Sequence, residues 1–189
     1  MILYIGLGIL LLVFMVVIIT GIVIYNKLVR LKNTVRAAWA DTDVQLKKRY
    51  DLVPKLIDVV KGASTYEKST LENVIKARAM AVGATSIPDK AKAENILVES
   101  LRGLLAVHEA YPELKANANY LQLQNELKEL EDTIEHARRY YNAVVREFSI
   151  GIESFPSNII ASMCKFEEAK MFELASPETE RQPPTASFS

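Results

Sequence analysis

The side chains best suited to chemistry in this chain are two histidines, one cysteine and a scatter of carboxylates. His108-Glu109 opens like the zinc-protease helix, but the second histidine of that pattern would fall at Pro112. A di-iron bundle places Glu three residues before His on two helices, and Leu105 and Thr133 stand at those positions. There is no phosphate-binding loop; the close glycines Gly6 and Gly8 lie in an apolar run. A cysteine nucleophile needs a histidine beside it in space, and nothing in the order of residues points to one for Cys164. Both histidines read as surface or packing residues. Cys164 reads as a small buried apolar residue that can form no intramolecular disulfide. Glu126, Lys128, Glu129, Glu131 and Asp132 interleave in sign, as on a solvated helix face. No catalytic residue, metal or cofactor is expected, and the chain is read as a non-enzyme.

Two groups of polar residues rise above this background. Lys27, Arg30, Lys32 and Arg36 follow an uncharged N-terminal stretch. They can contact anionic lipid head groups, at ~1 kcal/mol each near the surface, or serve only to set topology. Asp43, Gln45, Arg49, Arg78, Arg138 and Asn142 lie near apolar stripes. They make either a satisfied buried network that fixes helix register or ordinary exposed ion pairs.

These residues need elements to hold them. No side chain from Ile2 to Tyr25 is charged. That run is about 36 Å as a helix at ~1.5 Å per residue, enough to cross a hydrocarbon core of ~30 Å. It lacks the basic start and small-x-small site of a cleaved signal, and a lipoprotein cysteine. A retained single span is expected over residues 1–26. Because the nearby Lys and Arg all follow it, the N-terminus should lie outside and the domain in the cytoplasm. Total charge balances, with 23 basic and 23 acidic residues, so nucleic acid is not an expected partner.

From Leu28 the apolar residues become periodic: Val35, Trp39, Thr42, Leu46, Tyr50, Val53, Ile57 and Val60 follow a helical repeat to about Lys61. Pro54 either kinks this helix or, with Asp51 as a new cap, breaks it. A second helix, capped by Ser64 and Glu67, runs to about Val82 with Leu71, Val74, Ile75 and Val82 inward. A third starts at Ser86–Asp89, turns Ile96, Leu97, Leu101, Leu104 and Leu105 inward, and stops near Tyr111-Pro112. A fourth spans Asn117–Asn119 to about Glu153, with Gly151 a weak point near its end. A fifth, capped by Ser157 or Asn158, reaches about Phe172 and should cover Leu28, Val35 and Trp39. The fold class is therefore all-α: a transmembrane helix, an antiparallel up-down-up-down bundle over residues 27–175 with a short fifth helix, and a disordered tail at 176–189.

The run from Trp39 to Pro54, WADTDVQLKKRYDLVP, resembles a signature of the LemA family. Tyr111–Asn117, Leu121–Glu131, Ala137–Asn142 and Phe155–Asn158 are similar to its later blocks, in the same order. Ser149 stands where members often have Asn, and Lys165 where Gly often precedes the Phe, so the backbone near the fifth helix is where this chain departs. The resemblance implies a bacterial, single-span protein of the cytoplasmic membrane with a helical bundle, no established activity and no catalytic residues to carry over. Some relatives in that family are similar to magnetosome membrane proteins, and its genes often neighbour those of membrane proteases or other envelope proteins, which suggests a scaffold or quality-control accessory.

The leading expectation is a non-catalytic, membrane-anchored module for an unnamed protein partner, of open oligomeric state. Such a module should show an exposed apolar or polar-rimmed patch and no deep pocket with convergent polar groups. The alternatives are an anionic-lipid-binding or membrane-shaping protein that uses the basic stretch and helix five, and a protease or quality-control accessory.

Overall fold

The computed structural model describes residues 1–63 and 68–173, and among them every regular element is a helix. In order these are α1 (Ile2–Ala63), α2 (Lys68–Gly83), α3 (Ile87–Ala110), α4 (Pro112–Lys115), α5 (Ala118–Glu153) and α6 (Ser157–Met163). The all-α class is as expected. The cap at Ser64 and Glu67 and the tail at 176–189 lie outside the described residues.

The apolar N-terminal run and the first periodic helix form a single element, α1. Its continuity past Pro54 has a local cause. Proline has no N–H for the carbonyl of Tyr50, four residues earlier, and an unpaired buried carbonyl is costly. That carbonyl instead accepts a hydrogen bond from Arg78 Nε of α2, at 2.6 Å. The fresh helix capped by Asp51 does not form. We therefore expect Arg78→Met to destabilise the chain by about 1–2 kcal/mol. In a Pro54→Ala background, where residue 54 has its own N–H for Tyr50, the loss should be smaller. A double-mutant cycle on urea unfolding measures this, and additivity within ~0.3–0.5 kcal/mol would contradict it.

Both ends of α3 and the start of α5 are built from the expected residues. Ser86 Oγ accepts from Asp89 N–H at 3.2 Å, and its hydroxyl donates to Asp89 Oδ2 at 2.5 Å, a reciprocal cap for α3. Asn117 Oδ1 accepts from the N–H groups of Asn119 and Tyr120, at 3.0 and 3.2 Å, and starts α5. Pro112 ends α3 as expected, then opens the one-turn helix α4, which periodicity did not signal.

The stripe on α1 is buried from Leu28 through Val60, with Trp39 half-buried. On α2 the expectation needs correcting: Ile75 and Val82 are exposed, and Ala77 and Ala81 join Leu71 and Val74 inside. Small residues let α2 approach α3 closely, so the buried arc is the narrower one set by the alanines. On α3, Leu97, Leu101 and Leu104 are buried, but Ile96 is exposed.

The chain divides into two compact units, with cuts inside α1 and α5 and a third after Ala169, beyond α6. Among the described residues, the first is Met1–Asp41 with Arg139–Ala169 and the second is Thr42–Arg138 with 170–173.

In the first unit, Trp39 packs on Tyr141 with ring centroids 5.2 Å apart. A Cβ on Gly151 would lie 3.2 Å from Leu31 and 3.3 Å from Leu28, so the missing side chain is what lets the end of α5 rest on α1. Gly151 is thus a contact residue inside the helix rather than a break. Ser157 does not cap α6: its hydroxyl lies 2.6 Å from the Gly151 carbonyl and 2.8 Å from that of Ser154, and serves the end of α5.

The helix expected to reach Phe172 ends at Met163. Lys165 takes a left-handed φ of 53°, its N–H bonding to Ser162 O at 3.2 Å while Phe166 N–H bonds to Ala161 O at 2.9 Å. This pair of bonds is a Schellman stop, where glycine is the usual residue. It is also the position at which Gly often precedes the Phe in the resembled family. The stop aims Phe166 at Tyr25 and Phe148, at centroid distances of 6.0 and 6.3 Å, with Lys32 Nζ 5.5 Å from its ring. Tyr141 of α5 supplies one cover for Trp39. Cys164, at the C-cap, is exposed rather than buried, because there the chain turns away from the packed face.

Candidate functional site

The second unit concentrates its buried charge around Arg49 and Tyr50. Successive helical residues project about 100° apart at ~3.6 residues per turn, so burying both requires neighbours on two sides of α1. Arg49 is 1% exposed and Glu94, on α3, is fully buried. Arg49 Nη2 pairs with Glu94 Oε2, while its Nη1 donates to both carboxylate oxygens of Glu131 on α5, at 2.6 and 2.7 Å. The Tyr50 hydroxyl donates to Glu94 Oε1, so that buried carboxylate is held by two partners. Lys90 Nζ sits 2.9 Å from Asp43 and 5.8 Å from the centre of the Tyr50 ring. With Arg78 on the Tyr50 carbonyl, three cations and three carboxylates are drawn together from α1, α2, α3 and α5. Buried charges cost several kcal/mol each unless paired, so the pairing of Arg49 with Glu94 is a condition for the fold.

Burial pushes the Tyr50 pKa up from 10.0 to about 12; Arg49 pulls against that rise and Asp43 adds to it. The neutral phenol is therefore the form the folded state favours. An unfolded tyrosine ionises near pH 10, and stability is lost as pH rises from there toward 12. Unfolding free energy measured across that range should fall less steeply for Tyr50→Phe; equal slopes would contradict a Tyr50 contribution.

Of the residues singled out by sequence, the structure brings Asp43, Arg49 and Arg78 into this cluster. Gln45 is half-buried and makes none of these contacts. Arg138 is half-buried and lines a cavity beside the cluster. Asn142 belongs to the first unit, where it is half-buried. Also in the first unit, Lys27, Arg30 and Arg36 are exposed, whereas Lys32 is half-buried against Phe166. His136 is exposed; the side chain of His108 lies outside the described residues.

Glu94 and Glu131 were missed, although the signal was present. Ala91, Glu94, Leu97 and Leu101 share one spacing, so Glu94 occupies an inward position of an apolar stripe. Glu131 stands between the buried Leu127 and Ile134, and the solvated face assigned to it is corrected by its pairing with Arg49.

The cavity measures about 770 Å³. Arg49, Arg102, Lys128 and Arg138 line it with Glu94, Glu131, Asp132 and Glu135, above Leu101, Ile134 and Phe172. Charged groups of both signs thus meet around one cavity, which the sequence did not signal. Cations and carboxylates line it in equal number, so the walls favour neither an anion nor a cation. A second groove, of about 420 Å³, runs between α2 and α3, with exposed Met80 and Ile96 over Ala77 and Gly103 and with Lys76 and Glu99 at its rim.

A model of the LemA family matches residues 38–188. Protein LemA of Metamycoplasma hominis is 29% identical over 158 residues, which cover 81% of this chain and 70% of that protein. Magnetosome proteins MamQ 1 and MamQ 2 of Paramagnetospirillum magneticum are each 34% identical over 74 residues, 39% of this chain and 27% of theirs.

Proposed function

Because the chain belongs to the LemA family, we propose that it is a membrane-anchored, non-catalytic helical module that engages a protein partner at the bacterial cytoplasmic membrane. LemA is not a known enzyme family. The observation that carries the anchoring is the apolar half of α1. It is long and apolar enough to cross a membrane, and no side chain in its most apolar window is buried within the protein. So large an apolar surface is tolerated only in contact with lipid or protein. Lys27, Arg30, Lys32 and Arg36 follow that half directly, which favours a cytoplasmic domain and an N-terminus outside.

The partner-binding role is supported by how the charge of the second unit is used. Glu94 holds Arg49 and Tyr50, while Glu131 and Arg78 tie the same turn of α1 to α5 and α2, an arrangement suited to fixing the register of four helices rather than to presenting a reactive group. Photocross-linking of the full chain in living cells tests the role, with the cross-linker at Met80 in the α2–α3 groove or at exposed Glu129. The reading predicts a discrete protein adduct in the membrane fraction from one surface and not from the other. Indiscriminate adducts from both positions, or lipid adducts alone, would contradict it.

A further inference from the structure

We propose that α6 and the residue pair before it form an apolar wedge, which enters the bilayer beside the C-terminal end of the span and contacts acyl chains directly. This rests on the membrane reading of α1. Its first support is depth. The Cδ1 atom of Ile160 lies 3.7 Å from where a Cβ on Gly21 would be, so α6 packs on the uncharged part of α1. Gly21 precedes Lys27, the first charged side chain, by six positions. At ~1.5 Å per residue that is about 9 Å toward the hydrocarbon, within the ~5–10 Å at which interfacial helices bury an apolar face.

The second support is composition. No residue from Ser154 to Cys164 carries a charge, while Glu153 and Lys165 bracket the stretch. Within it Ala161 is buried against the protein, but Phe155 is 81% exposed, Met163 74% and Ile159 51%. Large apolar side chains that are open at the depth of a membrane span have lipid as their natural neighbour.

The third support is that the excursion is tied at both ends. Ser157 is bonded to the carbonyls of Gly151, in the last turn of α5, and of Ser154 just beyond it, and the Schellman stop returns the chain to Phe166, which packs on Tyr25 and Phe148. A held segment presents its apolar face in a set position. Lipid contact made this way depends on apolar burial, so it survives high salt and needs no anionic head group.

The test uses the full chain in phosphatidylcholine vesicles, with the natural cysteine removed by Cys164→Ser. Single cysteines at Ile159, Met163, Val23 in the span and Glu147 on α5 carry an environment-sensitive fluorophore. Spin labels placed high on lipid acyl chains quench from inside the bilayer, and iodide quenches from water. The proposal predicts that probes at 159 and 163 behave like that at 23: quenched by the lipid label, shielded from iodide and unchanged by added salt. Quenching by iodide and not by lipid at 159 and 163, with 23 still quenched by lipid, overturns the wedge and leaves the span intact. Shielding from both quenchers would show that protein covers the face, which also overturns it. Loss of lipid quenching at 23 would instead remove the membrane reading itself.

Discussion

Glu94→Ala is expected to lower the stability of the second unit by about 3–5 kcal/mol, the cost of leaving a buried guanidinium without its partner. Arg49 is 1% exposed, so water cannot take over the role of the lost carboxylate, and the Tyr50 hydroxyl loses its acceptor in the same step. Glu131 still holds Nη1, which is why the loss should not exceed that range. The double variant Arg49→Met, Glu94→Leu should recover most of it, because replacing a whole buried pair by apolar residues is often neutral. Hydrogen exchange of α3 amides in the full chain reads both effects locally. A single-variant loss below about 1 kcal/mol, the size of an exposed pair, would mean that the cluster is solvated.

The second large effect belongs to the first unit. Phe148→Ala should cost about 3–5 kcal/mol, as buried Phe truncations do. The ring is 2% exposed and meets Phe166 edge-on, so its loss opens a cavity at the point where the chain returns from α6. Trp39 is the only tryptophan, and it packs on Tyr141 two helical turns earlier on α5, so its fluorescence reports the loosening. Phe155→Ala in the same detergent-solubilised chain should change stability by less than about 0.5 kcal/mol, because that ring is 81% exposed. Equal losses for the two would contradict the packing described for this unit.

How far the sequence could be read depended on whether a feature was local. The buried stripe of α1, the caps at Ser86 and Asn117 and the stop before Pro112 are written in spacings of a few residues. They were legible. Pairings between helices were not. Arg49 stood out as a charge near an apolar stripe, but its partners lie 45 and 82 positions away on α3 and α5, and only folding brings them together. Likewise Pro54 announced an orphan carbonyl, yet nothing local named Arg78 as the donor. The end of α6 misled for a different reason. Apolar spacing continues to Phe172, but a single left-handed residue at Lys165 stops the helix, and lysine gives no warning of that conformation. On α2, two apolar faces of similar strength competed, and the alanines decided between them.

If one helix passes from lipid into the polar-locked domain, cysteine accessibility must change along α1. In a Cys164→Ser background, single cysteines at Leu3, Ile9, Phe14, Ile19, Lys27 and Arg36 are exposed in intact cells to a membrane-impermeant maleimide, then again after permeabilisation. Position 3 should label in intact cells, 27 and 36 only after permeabilisation, and 9, 14 and 19 in neither case. Labelling of 9, 14 and 19 in intact or permeabilised cells would contradict this, because it would place the apolar half of α1 in water.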